Sequence, residues 1–317
     1  VGTDRRIAEA ARADMAKREA TATGPAADPI DGPELVERFL AAMTAAGLRA
    51  PTLDYYGRRL RMWLREVGTA KPARWTRAMF EAHLARHPEW GPRSRGIALA
   101  AMRRLARWAR KAGLYVPEVT DGVEVPRQRQ TPRRALQPAE VDTLLAAASG
   151  HRYAPAVALA AYAGLSLGDL RTLTWEEVDL GAGWIVRAEG RRKTGVPLRV
   201  PILPQLAEVL RAHRPLRARG VVCVGLPGGT GRSIYKTLAR LYDRAGLPEA
   251  RGWHLLRHSF GTLLMRAGVP TAVIGRLLSH RPGSVVTALY QHPDDADLVA
   301  AIEALRRSLA AGREAKA

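Results

Sequence analysis

Apolar residues recur at helical spacing along most of this chain, and one segment departs from that period. Between Trp184 and Ile202, apolar and polar residues alternate instead, on either side of a glycine-flanked basic turn, Arg191-Arg192-Lys193. Alternation of this kind around a short turn is typical of a β-hairpin, whereas spacings of three and four residues are typical of helices. The sequence therefore predicts a mainly α protein with a small β-sheet in its C-terminal domain.

Breaks in the helical pattern divide the chain into four parts. Residues 31–116 fit four successive helices, whereas the segment 117–134 is rich in proline and arginine and has no period. Residues 135–317 contain the hairpin and further helices, and residues 1–30 are an alanine-rich polar extension that ends in glycine and proline. We therefore predict two domains, at 31–116 and 135–317, joined by an extended linker.

Charge narrows the function more than any other bulk property. The chain has 50 Lys and Arg residues against 30 Asp and Glu residues, a formal net charge of +20. Both predicted domains contribute, with 17 basic and 7 acidic residues in 31–116 and 24 basic and 15 acidic residues in 135–317. Such a chain favours a polyanionic partner, either nucleic acid or an anionic membrane face. We expect both domains to face the same polyanion.

Composition also excludes several kinds of protein. Cys223 is the only cysteine, so the chain can form neither an internal disulfide nor a multi-cysteine zinc or iron–sulfur site. The longest apolar run, from Tyr153 to Leu165, is shorter than the ~18 residues needed to span a bilayer. Residues 1–20 lack the apolar core of a secretory signal. We therefore expect a cytoplasmic protein with no membrane partner.

Five side chains in the C-terminal half offer the chemistry of phosphodiester transfer. Arg257 presents a planar fork to two non-bridging oxygens, and His254 and His280 can donate hydrogen bonds or move a proton. Tyr290 can act as a covalent nucleophile, and Lys193 at the hairpin tip can protonate a departing 5′ oxygen. Because a phosphotyrosine conserves the bond energy, we expect no nucleotide, metal or other cofactor. The sequence also has no glycine-rich phosphate loop of the P-loop type.

The motifs His254-x-x-Arg257 and Leu-x-His280, followed by Tyr290, resemble those of the tyrosine recombinase, or phage integrase, family with a Xer-like layout, over residues 31–310. The resemblance implies an N-terminal four-helix, SAM-like core-binding domain and a C-terminal catalytic domain that form a clamp on double-stranded DNA. Tyr290 would attack the scissile phosphate and leave a 3′-phosphotyrosyl bond and a free 5′-hydroxyl. The implied assembly is a tetramer on paired sites, or a complex with a paralogous recombinase.

Basic side chains outside the catalytic set are the predicted DNA contacts. Residues 101–108 look like the last helix of that family's core-binding domain, with arginines on the face opposite the apolar one. The predicted DNA-contacting residues are Arg58, Arg59, Arg93, Arg95, Arg103, Arg104, Arg191 and Arg192. Because most protein–DNA hydrogen bonds go to phosphates, these residues do not reveal a target sequence.

One position departs from the family pattern. The family has Gly-Leu-Arg with an acidic residue three positions on, and that arginine is the first of two catalytic ones. Here Gly164 and Asp169 fit, but Ser166 stands in the arginine slot. Loss of one preorganised donor costs roughly 10²–10³ in rate. Three explanations stay open: an inactivated variant, a natural enzyme with altered chemistry, or a DNA-binding or architectural protein that does not cleave.

Two further questions stay open at this point. Apolar residues from Leu298 to Leu309 form a stripe along the last predicted helix. Such a stripe packs either within its own domain or, by the resemblance, on a neighbouring subunit, which would couple assembly to activity. A generic basic RNA- or DNA-binding protein is another alternative, which would leave the order of the motifs to coincidence. His258 and His292 are expected to be structural.

Overall fold

The computed structural model describes residues 30–68, 71–126, 134–189, 195–216, 219–226, 231–280 and 293–314. It divides into two units, Val1–Thr131 and Pro132–Ala317. The predicted N-terminal extension lies outside the described residues, apart from its last residue. No helix within the described ranges is long and apolar enough to cross a membrane.

Four α-helices make up the described part of the first unit. They are α1 (Gly32–Ala45), α2 (Ala50–Val67), α3 (Arg77–Ala85) and α4 (Pro92–Lys111), with a 3₁₀ turn at Pro72–Arg74. Asp31 caps α1 by accepting a hydrogen bond from the Glu34 amide, and Thr76 caps α3 through the Met79 amide. Proline lies in the first turn of α1, α2 and α4, where its missing N–H would have no partner in any case.

An aromatic core joins these four helices. Trp63 of α2 is buried and packs edge-on against Trp75 and Phe80, with ring centroids 5.5 and 5.7 Å apart. Phe39 of α1 contacts Trp108 of α4 at 5.7 Å. Such tilted pairs add stability beyond the area that they bury. The burial of Trp63 and Trp75 confirms the prediction that they are core residues, whereas Trp108 is only half-buried.

The chain that follows α4 stays on the first unit. Val116, Val119 and Val123 are buried in the same core as the four helices. Arg103 of α4 donates to the side-chain and backbone oxygens of Thr120, at 3.3 and 3.4 Å. Residues 117–126, which belong to the predicted linker, therefore pack against the first unit in an irregular conformation.

The second unit consists of helices around a small antiparallel sheet. Its described elements are α5 (Pro138–Ala148), α6 (Ala154–Tyr162), α7 (Leu167–Leu170), a 3₁₀ turn (Trp175–Glu177), β1 (Val178–Asp179), β2 (Trp184–Arg187), β3 (Leu198–Pro201), α8 (Pro204–His213), α9 (Gly231–Arg244), α10 (Trp253–Arg266), α11 (Thr271–Leu277) and α12 (Asp295–Glu314). The strands pair in the order β1-β2-β3, with Val178 opposite Ile185 and Ile185 opposite Val200. The predicted hairpin is confirmed as β2 and β3, and β1 adds a third strand.

Helix α6 forms the centre of the second unit. Every residue from Ala154 to Tyr162 is buried, which is the pattern of a helix packed on all sides. Its alanines leave room for α8 and α10, which both pack against it. Cys223 is buried in this core as well, and burial raises the pKa of its thiol to about 12. At neutral pH the cysteine is therefore an unreactive apolar residue.

The last helix packs within its own unit. Leu298, Ile302, Leu305 and Leu309 of α12 are buried in the same core as α6. The helix lies against α5, α10, α11 and β3. At its first turn, Asp295 pairs with Arg199 of β3, whose guanidinium lies 4.3 Å from the ring centroid of Trp184. Of the two alternatives for the apolar stripe, the structure therefore shows packing within the same chain.

Candidate active site and basic groove

The structure describes four of the predicted catalytic residues. These are Ser166, His254, Arg257 and His280. Lys193 and Tyr290 lie outside the described residues, as do the hairpin arginines Arg191 and Arg192. Three sequence motifs, at 164–169, 254–257 and 278–280, therefore make up the described part of the site.

Arg257 brings these three motifs together. It lies in α10 and is only 7% exposed. Its Nη1 donates to the carbonyl of Gly164 at 2.7 Å, and its Nη2 donates to the carbonyl of Leu278 at 2.5 Å. Those two carbonyls belong to the stretch before α7 and to the end of α11. A buried guanidinium must have hydrogen-bond partners, and these partners fix both its orientation and the meeting point of the motifs.

Gly164 shows why this meeting point needs a glycine. Its φ of +64° lies in the left-handed region, which glycine adopts without strain. A Cβ atom at this position would lie 2.5 Å from Phe260 Cδ1 and 2.9 Å from Leu278 Cδ2. The chain that leads to Ser166 therefore packs directly on α10 and on the turn after α11. Any side chain at residue 164 would push these segments apart.

Both predicted histidines are exposed at the surface of the described site. His254 lies one turn before Arg257 in α10, and His280 follows the turn that ends α11. Between them in space lies a feature that the sequence analysis missed. Ser279 is fully buried, has a φ of +47°, and donates its hydroxyl to the Pro197 carbonyl at 3.1 Å. A non-glycine residue with positive φ is uncommon, and such strained residues cluster at functional sites.

Ser166 begins α7, and its polar groups turn back toward that helix. Its amide and its hydroxyl both donate to Asp169 Oδ2, at 2.9 and 2.6 Å. Serine is well suited to this position before the first turn of a helix. The slot in which the family carries a guanidinium therefore holds a hydroxyl bonded to a carboxylate. Arg171, the nearest arginine in sequence, lies at the opposite end of α7.

A second buried arginine lies near this slot but already has a partner. Arg187 of β2 is 8% exposed, and its Nη1 lies 4.0 Å from Asp169 Oδ1. Its Nε and Nη2 donate to the two carboxylate oxygens of Glu177, at 2.5 and 2.8 Å. These hydrogen bonds raise the pKa of Arg187 despite its burial. Because the Glu177 carboxylate occupies the fork, Arg187 does not replace the missing arginine.

A basic groove runs along α4 in the first unit. It has a volume of about 580 Å³ and is lined by Arg103, Arg104, Arg107 and Lys111 together with Tyr56, Met43 and Trp108. Arg104 lies 3.3 Å from Met43 Sδ through its Nε. Two of the predicted DNA contacts, Arg103 and Arg104, thus share one surface. Arg107 and Lys111 belong to that surface too, although they were not among the predicted contacts.

The other predicted contacts of the first unit lie elsewhere on it. Arg58 is exposed and pairs with Asp54 at 2.6 Å. Arg59 stacks on Trp90, with its guanidinium 3.8 Å from the ring centroid, and burial lowers the pKa of this arginine. Arg93 is exposed, and Arg95 lines a different hollow and donates to the Trp90 carbonyl at 3.0 Å. These arginines are therefore not arranged as one continuous patch with the groove.

The sequence profile of the Phage integrase family matches residues 134–297, which is more than half of the chain and includes all the predicted catalytic residues. This chain belongs to the phage integrase family. Among its relatives, tyrosine recombinase XerC of Methylobacterium sp. (strain 4-46) is 30% identical over 232 residues, or 68% of this chain and 71% of that protein. Tyrosine recombinase XerD of Pseudomonas aeruginosa is 28% identical over 281 residues, or 81% of this chain and 92% of that protein.

Solved structures confirm the fold of this phage integrase family member. A lambda integrase (75–356) dimer bound to a COC′ core site superposes with a TM-score of 0.66 at 18% identity, covering 80% of this chain and 96% of that one. A lambda integrase tetramer bound to a Holliday junction also has a TM-score of 0.66, at 18% identity, covering 93% and 90% of the two chains. The predicted fold class, mainly α with a small sheet in the second unit, is confirmed.

Proposed function

We propose that this member of the phage integrase family is a site-specific recombinase that cleaves and rejoins DNA through a 3′-phosphotyrosyl intermediate. The observation that carries the proposal is the pair of hydrogen bonds from Arg257. They join the three described motifs at one point, although the motifs are far apart in the chain. A structural arginine on an unrelated fold would have no reason to draw these particular motifs together.

Each proposed catalytic residue has a separate role. Tyr290 attacks the phosphorus, forms the phosphotyrosyl bond and displaces the 5′ oxygen. Its phenolic proton passes to a neighbouring histidine, and Lys193 supplies a proton to the departing oxygen. Arg257 stabilises the charge that grows on the non-bridging oxygens, with hydrogen bonds from His254 and His280. The partner strand's 5′-hydroxyl then attacks the phosphotyrosine, which restores a phosphodiester without an external energy source.

A second candidate function rests on Ser166. In its slot a hydroxyl is bonded to the Asp169 carboxylate, so no forked cation is supplied by that residue. A protein with this arrangement would bind DNA through its basic surfaces and cleave it slowly or not at all. This reading makes the chain a DNA-binding or architectural protein on the recombinase fold.

The proposed partner is double-stranded DNA in both cases. The basic groove on α4 supports it, because a row of exposed arginines is suited to phosphates. The lambda integrase structures contain a COC′ core site and, in the tetramer, a Holliday junction. We infer that this chain likewise self-associates on paired sites, as a tetramer or with a paralogous recombinase. It would act in the cytoplasm, with no membrane partner.

A covalent trapping experiment distinguishes the two functions. DNA that the full chain selects from a random-sequence pool is prepared with a nick close to the selected site, so that a cleaved strand end diffuses away. A recombinase gives a protein–DNA adduct that survives denaturation and is absent from Tyr290→Phe. The matched control is Tyr235→Phe, which changes an exposed tyrosine of α9 and should leave the adduct intact. Selective binding with no adduct from the unaltered chain favours the second function.

A further inference from the structure

Three side chains that ligate metals in other proteins lie together in the first unit, where no predicted catalytic residue lies. They are Glu66 of α2, His83 of α3 and His87 in the turn after α3, and their ligand atoms all lie within 4.8 Å of one another. His83 Nδ1 lies 2.7 Å from Glu66 Oε2, and His87 Nε2 lies 2.8 Å from Glu66 Oε1. One carboxylate thus faces two imidazole nitrogens.

The sequence analysis looked for metal sites through cysteine and so passed over this group. His83 and His87 are four residues apart, a spacing that puts both on one side of a helix. Glu66 comes from the neighbouring helix, and only the packing of α2 on α3 shows that its carboxylate reaches the same point. The packing of Trp63 on Phe80 and on the ring of His83 itself, at 5.7 and 5.6 Å, fixes that arrangement.

We propose that Glu66, His83 and His87 bind one divalent transition-metal ion, for which Zn²⁺ is the best match. Two imidazoles and a carboxylate are ligands that Zn²⁺ accepts readily, and water commonly supplies its fourth ligand. The site is open enough for both. The side chains of His87 and Glu66 are 17% and 19% exposed, whereas that of His83 is 1% exposed. An ion would therefore enter from the His87 side and seat against a fixed inner ligand.

The surroundings of His87 are also those of a metal ligand. Its second ring nitrogen, Nδ1, lies 3.1 Å from Glu89 Oε1, on the opposite side of the ring from Glu66. A carboxylate bonded to the far nitrogen of a ligating histidine fixes the tautomer and the ring orientation. The ring also stacks on Trp90, with centroids 4.1 Å apart and planes inclined by 5°. Both contacts hold Nε2 toward His83 and Glu66.

Metal binding requires small movements that the structure allows. A tetrahedral zinc ion with bonds of about 2.0–2.2 Å keeps its ligand atoms somewhat farther apart than a direct hydrogen bond does. Glu66 must therefore withdraw slightly from both rings. Arg86 Nη1 lies 3.4 Å from Glu66 Oε2, but its side chain is 59% exposed and can turn into solvent. The alternative is that the three residues form a hydrogen-bonded cluster only.

A metal at this point would act on the stability of the first unit. It would join α2 to the end of α3 through bonds that exist only when both helices are in place, so its binding energy would add to the folding energy. Helix α2 also carries Arg58 and Arg59, two of the predicted DNA contacts. The proposal does not depend on the recombinase function, since DNA cleavage is not part of its test.

The test uses the full chain, stripped with a chelator and then titrated with ZnCl₂ or CoCl₂. We expect one tightly bound ion per chain, a visible Co²⁺ spectrum typical of four-coordination, and a higher thermal midpoint with Zn²⁺. Glu66→Gln keeps a hydrogen-bond acceptor for a histidine but is a poor metal ligand, so binding should be lost. Glu89→Gln alters only the partner of His87, and a loss of about 10–100-fold in affinity is expected.

Matched controls separate this site from other histidines. His213→Gln changes a histidine of α8 that bonds the Val209 carbonyl, and it should leave binding intact. The double change His254→Gln/His280→Gln tests whether the catalytic motifs supply the ligands instead. Because that variant retains the whole first unit, it decides the question even if Glu66→Gln does not fold. Absence of saturable binding, or binding that disappears with His254 and His280 or persists undiminished in Glu66→Gln, would show that the cluster is hydrogen-bonded only.

Discussion

Arg257 and Ser166 belong to motifs that meet, but they are held in opposite ways. The Arg257 guanidinium reaches out of its helix to carbonyls 93 and 21 residues away in the chain. Ser166 bonds to a carboxylate three residues away, within a single helical turn. The first arrangement organises tertiary structure, and the second caps a helix. The architecture of the site is therefore independent of the group that the family carries at residue 166.

Arg257→Ala should have the largest effect on this contrast. The change leaves the carbonyls of Gly164 and Leu278 without their donor. Each unsatisfied buried polar group costs roughly 1–3 kcal/mol, so the free energy of unfolding should fall by about 2–6 kcal/mol. Urea denaturation measures the loss. Arg306→Ala, at an exposed i,i+3 pair of α12, is the control, and an equally small loss in both variants would show that Arg257 does not hold the motifs together.

Ser166→Arg should restore the missing half of the contrast. A guanidinium at the start of α7 would add a charged donor beside Arg257, which is expected to raise cleavage of the nicked substrate by roughly 10²–10³. The same change removes a helix cap, at a cost of about 1 kcal/mol in stability. Ser166→Ala removes the cap without adding a charge and should not cleave faster. Cleavage by Ser166→Arg that stayed at the level of Ser166→Ala would refute the slot assignment.

Ser279→Ala should show how far the architecture depends on the turn before His280. The change removes the hydroxyl that donates to the Pro197 carbonyl but keeps the strained backbone. Loss of one buried hydrogen bond should lower the unfolding free energy by about 1 kcal/mol. Thr143→Ala, which removes an exposed hydroxyl bonded to the Ala139 carbonyl, serves as the reference. A loss no greater than this reference would mean that the Ser279 bond is dispensable.

Arg103→Ala/Arg104→Ala should produce the smallest change, and it separates DNA binding from chemistry. Each lost phosphate contact lowers the slope of log affinity against log salt by about 0.9. Titrations at several salt concentrations should therefore show a shallower slope for this variant. Ser166→Arg adds a cation in the second unit and leaves the groove unchanged, so the decrease should be the same in both backgrounds. An unchanged slope would exclude the groove from the DNA interface.

Much of the fold could be predicted because it follows from short-range periodicity. The hairpin from Trp184 to Ile202 alternates over enough residues to be distinguished from helix. Strand β1 has only two residues, Val178 and Asp179, and so offers no period to detect. The valines at 116, 119 and 123 pack on the first unit in an irregular chain. No regular spacing distinguishes such a segment from an exposed linker.

The candidate site was predictable in its residue types but not in its contacts. The motifs around Arg257 could be found from spacing alone. That its partners are backbone carbonyls could not, since every residue has one. Ser279 was passed over for a related reason, because a left-handed φ at serine leaves no trace in the sequence. The roles of Lys193 and Tyr290 stay predictions, because both residues lie outside the described part of the chain.

Strand β3 is attached to the two chain segments that precede and follow residues 281–292. On one side the Ser279 hydroxyl binds the carbonyl of Pro197, directly before the strand. On the other, Asp295 at the start of α12 pairs with Arg199 within the strand. A tilt of this one strand would therefore displace both attachment points at once. It makes β3 a mechanical lever, through which a force on the last helix could be transmitted to the turn that carries His280.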